Sequence, residues 1–322
     1  MNTPEKSPAT STIPHVLSPQ EQAAVAAARL AGRPLLVRGE PGTGKTQLAE
    51  AAAQRLNRPL VSLTVNSTTS PTDLLWTFDA VQRLAEAQVA AAITKDPQSL
   101  REQIQLQKFV KPGPLWWAFD WNSAARQTGV EAPAVPLGWQ TEHGVVILID
   151  EIDKGETDVP NGLLEALGSR RFTPVGWPQP IQHSPAAGQP LIVITTNEER
   201  ALPDAFVRRC LVLQLELPAL TVRASEEQRK QENSALSQFL VSRGTAHFGQ
   251  VLAPEILQQA ADLLVEDRRT AIENQQRPFP GQAEYLDYLR ILAEGQGTGG
   301  LPQEHMQEVR SLVFRKWRRA VR

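Results

Sequence analysis

Gly39-Glu40-Pro41-Gly42-Thr43-Gly44-Lys45-Thr46 decides the fold of this chain. It is a complete G-x-x-x-x-G-K-[ST] run. Its glycines let backbone N–H groups turn inward around an anion, at a helix start that already favours negative charge. Such a loop cradles phosphates only when it leaves a strand and opens a helix. Both neighbours are present. Leu35-Leu36-Val37 is a short apolar run of the kind buried on both faces of a sheet, and a helical pattern follows from about Lys45 to Leu56. In that setting Lys45 places a point charge on the outer phosphates, and Thr46 offers a hydroxyl to a divalent cation.

Working outward, Ser18-Pro19-Gln20-Glu21 forms a capping box with Pro at the first helical position, and an Ala-rich helix runs from it to Gly32. Pro59 to Val65, Val145 to Ile149, Leu191 to Thr195 and Leu211 to Leu215 are further strands, and Asp158 to Leu167 is a helix stopped by Gly168. Strands alternating with helices imply an α/β sandwich, a parallel sheet covered on both sides. Five strands are expected. The stretch from about 70 to 140 is an insert: Ser70-Pro71-Thr72-Asp73 is expected to start a capped helix carrying Leu74, Phe78, Val81 and Leu84 on one face. More helix is expected at Leu100 to Phe109 and Leu115 to Ala125. A hairpin is expected to begin at Phe172-Thr173-Pro174-Val175.

After Pro218 the strands stop. Glu226 to Arg243, Pro254 to Glu266, Gln282 to Glu294 and Gln303 to Ala320 are helical patterns, an all-helical module. The expected organisation is a loose tail over 1–17, a nucleotide-binding domain over 18–217 and a helical lid over 218–322.

Composition narrows the classes. The chain has 322 residues and a formal charge of -2, from 33 basic and 35 acidic side chains, so no net field favours nucleic acid or membrane. A single cysteine, Cys210, excludes an internal disulfide and fits a reducing, cytoplasmic setting. No apolar run approaches the length of a membrane span. The five histidines (15, 143, 183, 247, 305) lack metal-ligand spacing.

Two strand ends carry chemistry. Val145-Val146-Ile147-Leu148-Ile149 runs into Asp150-Glu151, delivering two carboxylates to the edge of the sheet where ligands bind in open α/β folds. Asp150 suits a water-bound Mg²⁺, and Glu151 suits polarisation of an attacking water. Asp153 and Lys154 are assigned to the surface turn that follows. Leu191-Ile192-Val193-Ile194-Thr195-Thr196-Asn197 brings a polar amide to the same edge. Asn197 can orient water there, although Asn also forms turns and caps.

These features, followed by Leu202-Pro203-Asp204-Ala205-Phe206-Val207-Arg208-Arg209-Cys210, resemble an AAA+ ATPase of the MoxR branch. Gly113-Pro114-Leu115 and Leu163-Leu164-Glu165-Ala166-Leu167 are also similar to that branch. The resemblance covers about 18 to 294. It implies ATP and Mg²⁺ as cofactors, held by Gly39, Glu40, Pro41, Gly42, Thr43, Gly44, Lys45 and Thr46, with Thr46 and Asp150 on the metal. It makes Glu151 the catalytic glutamate of the Walker B pair and Asn197 the sensor 1 residue. Arg209, or its neighbour Arg208, becomes the arginine finger that reaches the γ-phosphate of the next subunit. A sensor 2 arginine usually sits in a Ser-Pro-Arg stretch of the lid. The nearest residue here is Arg277, in Arg277-Pro278-Phe279-Pro280-Gly281, and the surrounding residues depart from the pattern.

The resemblance further implies a homo-oligomeric ring, a hexamer, that remodels or matures a client protein, sometimes one with a von Willebrand A domain. Two alternatives stand beside it: a nucleotide-gated scaffold with little turnover, and a DNA-processing enzyme. The latter would use Arg310, Arg315, Lys316, Arg318, Arg319 and Arg322, cations that also suit the last turns of a helix. Trp76, Trp116, Trp117, Trp121 and Trp139 are expected to pack a local core in the insert, with a docking surface as the other use.

Overall fold

The computed structural model describes residues 17–93, 96–295 and 306–316. It divides into two compact units, Leu17–Pro41 with Lys45–Leu215 in the first, and Gly42–Gly44 with the segment from Glu216 in the second. The expected tail lies outside the described residues apart from Leu17.

In the first unit, helix α1 (Pro19–Ala31) starts on the Ser18–Glu21 capping box and ends at Gly32, whose φ of 62° closes the helix in the left-handed region. Strand β1 (Leu35–Arg38), helix α2 (Lys45–Leu56) and strand β2 (Leu60–Thr64) follow. The sheet is completed by β5 (Val146–Asp150), β8 (Leu191–Thr196) and β9 (Leu211–Gln214) in the order β2-β5-β8-β1-β9, every pairing parallel. Alternate residues of each strand enter opposite cores. Leu36, Ile147, Ile149, Ile192 and Ile194 pack on one face with Trp116, Val159 and Leu163. Leu35, Val37, Val146, Leu148 and Val193 pack on the other with Val25, Leu48, Ala49 and Ala52. That two-residue alternation between two apolar layers is why the strands are apolar throughout rather than at every second position.

The insert departs from the expected helices. Ser70 to Asp73 opens only a 3-10 turn, Pro71–Leu74, with the Ser70 amide donating to the Asp73 carboxylate. Strand β3 (Trp76–Phe78) then pairs antiparallel with β4 (Val110–Pro112), and a helix, α3 (Ala80–Ile93), begins only at Ala80. Trp76, Thr77 and Phe78 are strand formers, and a partner strand overrides the helical spacing. The expected helix at 100–109 is α4 (Pro97–Gln103) and a 3-10 turn at Leu106–Phe109. The one at 115–125 is two helices, α5 (Pro114–Phe119) and α6 (Trp121–Ala125). They break at Asp120, whose carboxylate caps α6 through the Ser123 amide.

Trp116 and Trp117 are buried, and Trp121 and Trp139 are half-buried, so the aromatics do pack a local core. Trp117, Trp121 and Trp139 meet edge to face at 4.7 Å between successive centroids. Helix α7 (Asp158–Ser169) runs past Gly168 and ends where Arg170 takes a φ of 50°. Strands β6 (Arg171–Phe172) and β7 (Ile181–Gln182) make the expected hairpin, and α8 (Asp204–Val207) is a single turn before β9.

The second unit holds α9 (Glu226–Phe248), α10 (Pro254–Glu273), α11 (Gln282–Gly295) and α12 (Met306–Phe314) around a core of Leu236, Leu240, Leu264, Tyr285, Leu289 and Phe314. The three basic C-terminal residues among those described are paired within it. Arg310 pairs with Asp267 at 2.7 Å and Glu266 at 2.8 Å, Arg315 with Asp267 at 2.8 Å, and Lys316 with Glu284 at 3.0 Å. Arg318, Arg319 and Arg322 lie outside the described residues. None of the described helices is long and apolar enough to cross a membrane.

Candidate active site

Three strands deliver the site to one edge of the sheet. β1 ends at Arg38, immediately before the phosphate loop, and β5 and β8 end at Asp150 and Thr196. Within the loop Gly42 and Gly44 have φ of 78° and 91°, conformations that a side chain would strain. The buried Lys45 ammonium donates to the carbonyls of Gly39 and Glu40 at 2.8 and 2.9 Å. Burial lowers its pKa, opposed by the field of Asp150, Asp153, Glu151 and Glu198. An anion arriving there would add to that acidic field in keeping the lysine charged.

The Thr46 hydroxyl lies 3.2 and 3.1 Å from the two carboxylate oxygens of Asp150. A hydroxyl and a carboxylate side by side next to a phosphate loop are the hard oxygen donors that suit Mg²⁺, so the residues fit the ion. Thr195 braces Asp150 and Glu151, a role that nothing in its local sequence announces. Fully buried, its hydroxyl donates to Asp150 at 2.5 Å and accepts the Glu151 amide at 2.9 Å.

Glu151 takes a left-handed backbone, φ 58° and ψ 48°, which turns its side chain away from the strand direction. One carboxylate oxygen accepts the Asn197 side-chain amide at 3.2 Å, and the other meets the Lys154 ammonium at 2.8 Å. The bond to Glu151 raises the pKa of Lys154. The acid expected to polarise water and the amide expected to orient it are therefore adjacent.

Asp153 lies in the expected turn, Ile152–Lys154, but not at the surface. It is 3% exposed, and its carboxylate accepts the backbone amides of Asn197 at 3.3 Å and Glu199 at 2.9 Å. Sequence spacing hid this because the partner amides lie more than 40 positions downstream. Nearby, Arg38 pairs with Glu198 at 3.6 Å and Arg200 donates to the Gly155 carbonyl.

Arg208 and Arg209 stand elsewhere. β9 pairs with β1 in register, Leu35 with Leu211 and Arg38 with Gln214. The phosphate loop leaves the sheet at its carboxyl edge, whereas both arginines precede β9 at the opposite edge. A whole strand separates them, about 13 Å at ~3.3 Å per residue. Both side chains are exposed and, among the described residues, neither takes part in an ion pair. Arg277, in the second unit, is also exposed, with its guanidinium 5.4 Å from the Phe279 ring centre. Among the described residues no cluster of His, Cys, Asp and Glu could hold a metal by itself.

Residues 34–210 match the family model described as AAA domain (dynein-related subfamily). No curated protein matches the chain. Among solved structures, it is similar to a candidate ATPase from Cytophaga hutchinsonii at 14% identity and a TM-score of 0.36, over 91% of this chain and 79% of that one. It is also similar to a variant of RuvB from Thermotoga maritima at 14% identity and a TM-score of 0.41, over 91% and 67%.

Proposed function

We propose, for a chain that belongs to the AAA domain family (dynein-related subfamily) and is an AAA+ P-loop ATPase, that it hydrolyses ATP at contacts between identical subunits of a ring. The position of Arg208 and Arg209, at the sheet edge opposite the phosphate loop, carries this reading. A guanidinium placed there has no route to its own subunit's γ-phosphate. Exposed, it suits a neighbour's, where it would stabilise charge on the transferring phosphoryl group.

Within each site Lys45 and the loop amides would hold the phosphates, and Thr46 and Asp150 would hold Mg²⁺. The ion would neutralise charge that develops on the transferring phosphoryl group. Glu151, free of Lys154, would take the proton of the attacking water, and Asn197 would fix that water's position. A ring of MoxR type, a hexamer in the cytoplasm, would couple this cycle to remodelling of a client protein. A client bearing a von Willebrand A domain fits that branch. The residues 18–217 would act as the nucleotide domain and 218–322 as a lid, with Arg277 its candidate phosphate contact.

Mixing variants tests the trans reading. Arg209→Ala should keep Mg·ATP affinity and lose turnover, and Glu151→Gln should do the same for a different reason. A mixture should regain activity at interfaces that combine an intact acid with an intact arginine. Inactivity at every ratio, for Arg209→Ala and equally for Arg208→Ala, rules the reading out.

A further inference from the structure

Arg33 lies in the turn between α1 and β1, two positions before Leu35. Its guanidinium donates from Nε to the Arg209 carbonyl at 3.2 Å, and from one terminal nitrogen to the carbonyls of Arg208 at 2.6 Å and Cys210 at 3.0 Å. Three successive carbonyls thus converge on one planar cation. They lie just past the single turn of α8, where carbonyls have left the helical ladder and need other donors. At the next residue the Leu211 amide donates to the Pro34 carbonyl at 2.8 Å. The backbone that bears Arg208 and Arg209 is therefore fastened to the Arg33–Pro34 turn over four consecutive residues, while both of their own side chains stay exposed.

We infer that Arg33 is the positioning residue for the arginine that serves the neighbouring subunit. Its fork sets the direction in which Arg208 and Arg209 leave the sheet edge. This rests on the trans reading given above. A planar five-donor cation is suited to the task, because it can span several carbonyls in one plane, which a lysine ammonium on a flexible stem cannot do. Arg33 precedes β1, at the sheet edge opposite the phosphate loop. Its effect on catalysis passes through the aim of the arginine it positions, and a displacement of about 1 Å in such a group can cost about 100-fold in rate.

The test uses the full chain. Arg33→Ala should lower kcat by about 100-fold while KM for Mg·ATP stays within about twofold, because the loop that binds nucleotide is untouched. Arg33→Lys should fall between Ala and the parent. Mixed with Glu151→Gln, Arg33→Ala should yield more activity than the two measured apart, since one chain brings the acid and the other a correctly aimed arginine. Arg209→Ala mixed with Glu151→Gln is the control. Complementation in the control but not with Arg33→Ala overturns the inference, as does a parental kcat in Arg33→Ala. Failure of the control, repeated with Arg208→Ala, removes the trans reading itself. Should Arg33→Ala lose Mg·ATP binding, Arg33→Lys carries the same mixing test.

Discussion

Asp153 holds the backbone amide of Asn197, so a residue on the turn after β5 fixes the polar end of β8. Asn197, proposed to orient water, is therefore set from the same turn that carries Glu151, the proposed base. The two strands cannot shift along each other without breaking this bond and the one from Thr195 to Asp150.

Asp153→Ala leaves the Asn197 and Glu199 amides without their acceptor in a partly buried place. The expected loss is about 2 kcal/mol of stability, together with a lower kcat at unchanged nucleotide affinity. Urea unfolding and steady-state kinetics check the two effects separately. A variant with parental kcat would detach Asp153 from the positioning of Asn197.

Thr195→Val keeps the shape of the side chain but removes the hydroxyl shared by Asp150 and the Glu151 amide. Stability should fall by about 1–3 kcal/mol, and the Mg²⁺ concentration needed for half-maximal hydrolysis should rise. Thr195→Ser should restore most of both. Titration of activity with Mg²⁺ in the three proteins decides it.

Glu151→Gln should bind Mg·ATP like the parent yet reduce phosphate release by roughly 10²–10⁴-fold, the usual contribution of a positioned base. Lys154→Ala, by contrast, should leave the acid in place and unmasked, so kcat should hold or rise. Single-turnover measurements at saturating ATP check both, and a collapse of kcat in Lys154→Ala would make the lysine part of the active arrangement.

Trp116→Ala should cost about 3–5 kcal/mol, because the side chain is fully buried against Phe172 and Trp177 and donates to the Ser123 hydroxyl. Nucleotide binding by whatever fraction remains folded should be normal. A urea midpoint equal to the parent's would remove Trp116 from the core.

The sheet was legible because its strands are continuous apolar runs, and because the phosphate loop and the Asp150-Glu151 pair mark two carboxyl ends by themselves. Strand order and register were not, since they depend on which apolar run lies beside which. The insert misled at Trp76 to Phe78, where a helical spacing of apolar residues coincided with good strand formers. Asp153 reads as a surface residue in sequence, and Thr195 and Arg33 show no role there, for a common reason. Each acts through hydrogen bonds to residues 44 to 177 positions away, and nothing in local spacing announces such a partner. A buried Asp two positions after an acidic pair looks the same in sequence as a solvated one.

The in-register pairing of Leu35 with Leu211 has a consequence for how the enzyme behaves on dilution. If one chain cannot bring its own arginine to its own nucleotide, a solitary subunit is an incomplete catalyst. Specific activity then becomes a function of how much protein is in the tube, climbing steeply as chains find one another and fading when they part. The cell would set the rate through abundance and local crowding of this chain as much as through the supply of ATP.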